Sequence, residues 1–321
     1  MLFLSQELLG MQNFKVSFLV HLFVPFLSLI FIAGSCNRAK TAENLMDQDS
    51  IPFIDIETKF SLPKEIQESS GIIYFDNAIW THNDGGDKPI LYKINPEDGE
   101  ILRDLNINGV ENKDWEDISQ DDEFVYISDA GNNAGSREGL KIIKISKASL
   151  TDKDKDEDTK VLNFSYEDQR IFSKRHYQHN FDCEAITVYK NHLILFTKNH
   201  KDYQCNWYQL DLESKDQIAK KIKNYDPNGL ITGADYDPVH NAFVFCGYEK
   251  NKNFRTFQAF VSIIQLDVNG ESKSNKKYYL KIDAQTEGIC YKANGVFYIS
   301  SEKSKNKPGA IFEFDAKPYL K

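Results

Sequence analysis

Three glutamates, Glu116, Glu184 and Glu287, each head a short phrase that returns in front of a β-like run. Carboxylates gathered in one confined place disfavour their own ionisation. They must take protons, accept hydrogen bonds, or hold a cation. The phrases are Glu116-Asp117-Ile118-Ser119, Glu184-Ala185-Ile186-Thr187 and Glu287-Gly288-Ile289-Cys290-Tyr291, and two hydroxyl-headed versions complete the set, Ser70-Gly71-Ile72-Ile73-Tyr74 and Thr232-Gly233-Ala234-Asp235-Tyr236. They begin at 70, 116, 184, 232 and 287, at intervals of 46, 68, 48 and 55 residues. That spacing is close to the ~40–50 residues of one propeller blade.

The elements that must position these acids follow from the repeat. Each phrase opens an innermost strand, and a second apolar run follows a polar turn, as in Phe124-Val125-Tyr126-Ile127 and Val296-Phe297-Tyr298-Ile299. Such short β-rich runs punctuated by turn residues read as hairpins. Third and fourth runs follow in every repeat except the last, which lacks a fourth. The alternating segment Phe53–Phe60 has no partner of its own and is the expected donor, closing a ring and removing two open edges. The expected fold is therefore all-β, a five-bladed β-propeller closed by an N-terminal strand that completes the last blade. Six blades is the alternative if the 68-residue interval hides one between Lys160 and His179.

Inner strands line the axis of a propeller, and an antiparallel second strand ends beside the start of the first. Ser70, Glu116, Glu184, Thr232 and Glu287 should then ring one mouth, joined by His82 with Asp84, Asp129, Lys198, Tyr248, and Ser301 with Glu302. Glu116, Glu184 and Glu287 are the candidate metal ligands, for Ca²⁺ or another divalent cation that takes 6 to 8 oxygens. Ser70, Asp84, Lys198, Thr232, Tyr248 and Glu302 are candidate ligand-binding residues. His82 and Asp129 are the candidates for proton transfer if the site is catalytic. The competing role for the same glutamates is structural: accepting bonds from strand-end amides or pairing with Lys198. The loops Thr81–Asp87 and Ser128–Asn133 combine Asp, Asn and Gly. They supply oxygens or simply form Asx-turns. No Gly-x-Ser-x-Gly elbow and no phosphate-cradling glycine loop is present.

The chain has 321 residues and a formal net charge of −9. Its 16 Tyr and 22 Phe against 3 Met suit pleated, half-buried surfaces. The acidic balance argues against nucleic-acid partners. Residues 16–35 form an apolar stretch behind Lys15 that closes on Ala33-Gly34-Ser35 and then Cys36. Residues 1–35 thus read as an export signal, with Met1 or Met11 as the start, and residues 36–50 as a polar tether. Residues 51–321 are expected to form one domain. Cys183, Cys205, Cys246 and Cys290 remain beyond the signal. As two disulfides they allow three connectivities, and buried free thiols are the other possibility.

Small residues abutting Cys36 resemble a bacterial lipoprotein box, which implies lipid on Cys36. Ser69-Ser70-Gly71, Trp80-Thr81-His82-Asn83-Asp84, Asp114-Trp115-Glu116-Asp117-Ile118 and Ser128-Asp129-Ala130-Gly131-Asn132-Asn133 with Arg137 resemble uncharacterised bacterial β-propeller lipoproteins, akin to the SdiA-regulated and phytase-esterase-like propellers. Thr286-Glu287-Gly288-Ile289 is similar to phrases of gluconolactonase-like and NHL-type propellers, a resemblance that implies an axial divalent metal acting on a lactone or ester. The leading expectation is a monomeric, lipid-anchored cell-envelope propeller, in the outer membrane of a Gram-negative bacterium and touching the membrane through its lipid alone. It would bind a divalent cation or small polar ligand at the acidic mouth. A metal-dependent ester or lactone hydrolase and a protein-interaction scaffold are the alternatives.

Overall fold

Short β-branched and aromatic runs separated by two-residue turns fold here as successive antiparallel meanders. The computed structural model describes residues 51–152, 158–250, 256–305 and 307–320. The export signal, the tether and Cys36 lie outside the described residues. Residues 50–321 group as one compact unit.

Two strands precede the first phrase, β1 (Phe53–Ile54) and β2 (Glu57–Ser61). The first meander is β3 (Ser69–Phe75), β4 (Ala78–Asn83), β5 (Ile90–Ile94) and β6 (Ile101–Asn106). The second is β7 (Trp115–Gln120), β8 (Phe124–Asp129), β9 (Leu140–Ser146) and β10 (Thr159–Tyr166), with the short helix α1 (Lys147–Thr151) before β10. The third comprises β11 (Cys183–Tyr189), β12 (His192–Thr197), β13 (Cys205–Asp211) and β14 (Asp216–Tyr225). β15 (Leu230–Asp237), β16 (Ala242–Lys250), β17 (Phe257–Leu266) and β18 (Ser272–Leu280) make the fourth. β19 (Thr286–Ala293), β20 (Val296–Ser301) and β21 (Ala310–Asp315) follow. Turns between first and second strands use residues that tolerate positive φ, as at Asp76-Asn77 and Asn294-Gly295.

The segment before the first phrase behaves differently from the single closing strand expected. It divides: β1 pairs in parallel with β18, and β2 pairs antiparallel with β21, Glu57 opposite Glu313. Both β18 and β21 end their sheets, so one stretch of chain covers two exposed edges instead of one. A second departure is the parallel pairing of β10 with β14, which joins the second and third meanders in one eight-stranded sheet. Between β10 and Cys183 no further strand is found.

The inner strands β3, β7, β11, β15 and β19 touch in that order, and β19 returns to β3. The apolar core obeys the same cycle. One cluster joins Trp80 of the first meander to Trp115 and Ile143 of the second, and another joins Ile72 and Tyr92 of the first to Cys290 and Tyr298 of the last. This is an all-β, propeller-like arrangement in which each meander buries its faces only against its neighbours. Polar side chains stitch the inner strands. Asp117 accepts from its own Ile118 N–H at 2.8 Å and from Ile186 N–H on β11 at 2.7 Å, and Asp235 accepts from Tyr236 and from Tyr291 on β19. Gly288 permits a close approach of β19 to β3, since a Cβ there would lie 2.5 Å from the Ser70 carbonyl oxygen.

Among the described residues Cys183, Cys205, Cys246 and Cys290 are all buried free thiols, the second of the two possibilities the spacing left open.

Candidate acidic metal centre

Every inner strand carries an irregularity at the same place. The ladder slips between Ser69 and Ile72, Trp115 and Ile118, Cys183 and Ala185, Ile231 and Gly233, and Thr286 and Ile289. Ser70, Glu116, Glu184, Thr232 and Glu287 thus fall in the gaps of the pairing, with Gly71, Asp117 and Gly288 beside three of them. A bulge re-aims its extra side chain away from ordinary in-and-out alternation. It is the local reason why phrase-heading residues point where a plain strand would not send them.

Those side chains do not share one fate. Ser70 donates its hydroxyl to the Glu116 carbonyl oxygen, and Thr232 donates to that of Thr286 at 2.6 Å. Both tie neighbouring inner strands together. Glu116 and Glu184 come together with Asp182, one carboxylate oxygen of each lying within 4.8 Å of the others. Glu116 also belongs to a second group, with Asp84 and Asp114, of the same compactness. Glu287 stands outside both groups. Gln285 donates to it at 2.5 Å and to Glu302 at 2.8 Å, joining those two acids instead. Asp84 and Asp114 are partly exposed while Glu116, Asp182 and Glu184 are buried, so the groups form an outer and an inner step that share Glu116.

Lys198 donates to Glu184 Oε2 at 2.6 Å. Burial opposes its charge, but Glu184, Tyr248, Glu287 and Glu116 around it hold its pKa well above the ordinary lysine value. One ammonium cannot satisfy all the acids. Oε1 of Glu184 and Oδ2 of Asp182 are buried without a hydrogen-bond partner among the described residues. Burial first, and then neighbouring carboxylates, raise Glu116, Asp182 and Glu287 well above the usual carboxylate range. Burial likewise raises Asp114, pushes Asp84 up to about 6, and pushes Glu302 up to about 7.

These shifts set a pH dependence with a definite sign. A carboxyl whose folded pKa lies above its unfolded value favours the folded chain while protonated, and that contribution is lost as pH rises through the folded pKa. Without divalent cation the melting temperature should therefore fall as the pH rises from about 4, where the unfolded acids ionise, to about 7, the higher of the folded values of Asp84 and Glu302. Thermal melts in chelator across that range check it. A flat profile would show these acids to be otherwise compensated.

His82 is fully buried, edge-on to Trp115 at 5.4 Å, with Nδ1 at 3.0 Å from the Asn83 carbonyl oxygen. Burial lowers it to about 4, and it belongs to neither carboxylate group. Asp129 accepts from the Asp114 N–H at 3.1 Å, from Arg137, and pairs with Lys141 at 3.1 Å. Tyr248 is buried against Phe257 with its ring centre 5.0 Å away, and burial raises its pKa.

Asp114 and Asp182 are ligand candidates that the phrase pattern alone passes over. Their signal is an acid two positions ahead of the heading glutamate, Asp114-Trp115-Glu116 and Asp182-Cys183-Glu184, repeated in consecutive phrases. Gly131 makes room for Glu116 and Asp114. A Cβ there would collide with Glu116 Oε1 and approach Asp114 Oδ2 to 2.6 Å.

Neither a known protein family nor a curated relative matches the chain. Among solved structures it is similar to the PQQ-bound aldose sugar dehydrogenase from Streptomyces coelicolor, at 9% identity and TM-score 0.47, covering 82% of this chain and 99% of that one. A glucose dehydrogenase matches at 10% identity and TM-score 0.47, covering 79% and 98%. A putative TolB from Agrobacterium tumefaciens matches at 11% identity and TM-score 0.39, covering 77% and 76%. At such similarity no substrate or cofactor transfers to this chain.

Proposed function

We propose that the chain is a five-bladed propeller held at the bacterial cell envelope through lipid on Cys36, and that its acidic mouth binds a divalent cation. The observation that carries the reading is the pair of carboxylate groups hinged on Glu116, with buried oxygens of Glu184 and Asp182 left without a hydrogen-bond partner among the described residues. An all-oxygen donor set of this density suits a hard ion, and Ca²⁺ fits it best. Asp84 and Asp114, on the outer step, provide the way in. The cycle of inner strands supports the blade count, with β2 serving as the fourth strand of the last blade.

The test is thermal. After chelation and exchange into neutral buffer, Ca²⁺ at a hundred times its Kd should stabilise the chain by about 2.7 kcal/mol. For a domain of this size that is a rise of several degrees in Tm. Direct metal analysis of the purified chain supplies the stoichiometry. A chain that carries no metal, and whose Tm does not respond to Ca²⁺, Mg²⁺, Mn²⁺ or Zn²⁺, has no such centre. The anchor is tested separately, since Cys36→Ser should release the protein from the membrane fraction.

A further inference from the structure

The carboxylates at the mouth are divided in a way that one ion cannot serve. Oxygens on a single Ca²⁺ stand about 2.3–2.6 Å from it, so they lie within roughly 5 Å of one another. Asp84, Asp114 and Glu116 form one set of that compactness and Glu116, Asp182 and Glu184 another, but the five acids do not form one set together. Glu116, common to both, is 5% exposed, and its carboxylate takes no hydrogen bond or ion pair among the described residues. We propose that the mouth holds two divalent cations bridged by the Glu116 carboxylate, a proposal that rests on reading that mouth as a cation site.

Buried polar groups are ordinarily bonded, and Glu116 is a buried acid that no N–H and no cation of the described residues satisfies. Its carboxylate can serve both ions at once. Charge favours the pair as well. The five acids carry five negative charges, and Lys198, seated on Glu184, returns one. One divalent ion leaves two negative charges in a confined place, where they repel, and a second ion leaves none. Arg137 donates to Asp129 and to the Gly131 carbonyl oxygen, and stays 3.9 Å from Asp114. Both loops beside the outer set approach it through glycine. A Cβ at Gly85 would collide with Asp114 Oδ1, as one at Gly131 would with Glu116 Oε1. The outer ion, between the partly exposed Asp84 and Asp114, is open to the waters that complete its 6 to 8 oxygens. The inner one lies among buried acids, where Glu184 Oε1 and Asp182 Oδ2 have no hydrogen-bond partner among the described residues.

Purified full chain is stripped with chelator, equilibrated with excess Mn²⁺ and freed of unbound ion. Metal analysis should give two Mn²⁺ per chain, and electron paramagnetic resonance should show the spin-coupled signal of a bridged pair. Asp114→Asn and Asp182→Asn each take a carboxylate from one set only. Each should retain one Mn²⁺ per chain and lose the coupled signal, with melts in chelator reporting that the variant folds. Asn at 182 still accepts the Asn132 N–H that Asp182 accepts in the parent. The count and the coupling in the parent decide the matter even if a variant does not fold. One Mn²⁺ per chain in the parent overturns the pair and leaves the single-cation reading standing, whereas none overturns both. Two ions without coupling, or two retained in both variants, place the second ion away from Glu116 and overturn the bridge.

Discussion

Replacing Lys198 with methionine should lower the stability of the cation-free protein by about 3–5 kcal/mol at pH 8. In a chain of this size that is a fall in Tm on the order of 10 °C. Methionine keeps much of the volume, so the loss comes from charge. Lys198 is the cation seated on Glu184, with Glu116 and Glu287 close enough to hold its proton in place. Without it the buried carboxylates face one another alone. Two further results distinguish this from a simple packing defect. Lowering the pH to 5 should recover most of the loss, because protonation removes the repulsion. Glu184→Gln in the same chain should recover much of it too, a coupling measurable by a double-mutant cycle. A variant as stable as the parent at pH 8 would mean that the acids are neutral already.

Glu116→Gln should have the opposite consequence in the absence of metal and a larger one in its presence. Glu116 is the one side chain common to both carboxylate groups, so its amide removes a charged donor from each. In chelator the variant should melt at or above the parent, because one buried acid with a strongly raised pKa is gone. In Ca²⁺ the parent gains about 4.1 kcal/mol at a thousand times its Kd, and the variant should gain almost none of it. Glu287→Gln is the internal control, because Gln285 holds Glu287 with Glu302 outside both groups. Its Ca²⁺ response should survive. Equal loss in both variants would place the ion nearer the Glu287 side of the mouth.

Much of the architecture was legible because a repeat must be locally self-consistent. The phrases fall at the starts of β3, β7, β11, β15 and β19, where the expected inner strands begin. What escaped was whatever depends on pairing between distant parts of the chain. The division of the first segment between two sheets is invisible in an alternating pattern, because Phe53 to Phe60 reads alike whether it serves one edge or two. The parallel contact of β10 with β14 leaves no periodic trace either. At the site, the heading glutamates were legible and their grouping was not. A bulge is set by backbone registry, and the phrases alone do not say that Glu287 would turn to Gln285 while Glu116 and Glu184 would turn to Asp182. The D-x-E spacing was the available clue. The hydroxyl heads Ser70 and Thr232 occupy the same bulges as the glutamates but spend their hydrogens on neighbouring main chain.

The pairing of Glu57–Ser61 with Ala310–Asp315 has a consequence for how the molecule is made. The first-synthesised of these strands waits without a mate until almost the whole polypeptide has emerged, and closing so long a loop is slow and entropically uphill. Until that moment the growing chain presents unsatisfied backbone at both ends of an incomplete circle, the condition in which strands recruit strangers. Refolding should accordingly show a late phase, assigned to the docking of β2, that disappears when the segment is supplied at the other terminus by circular permutation.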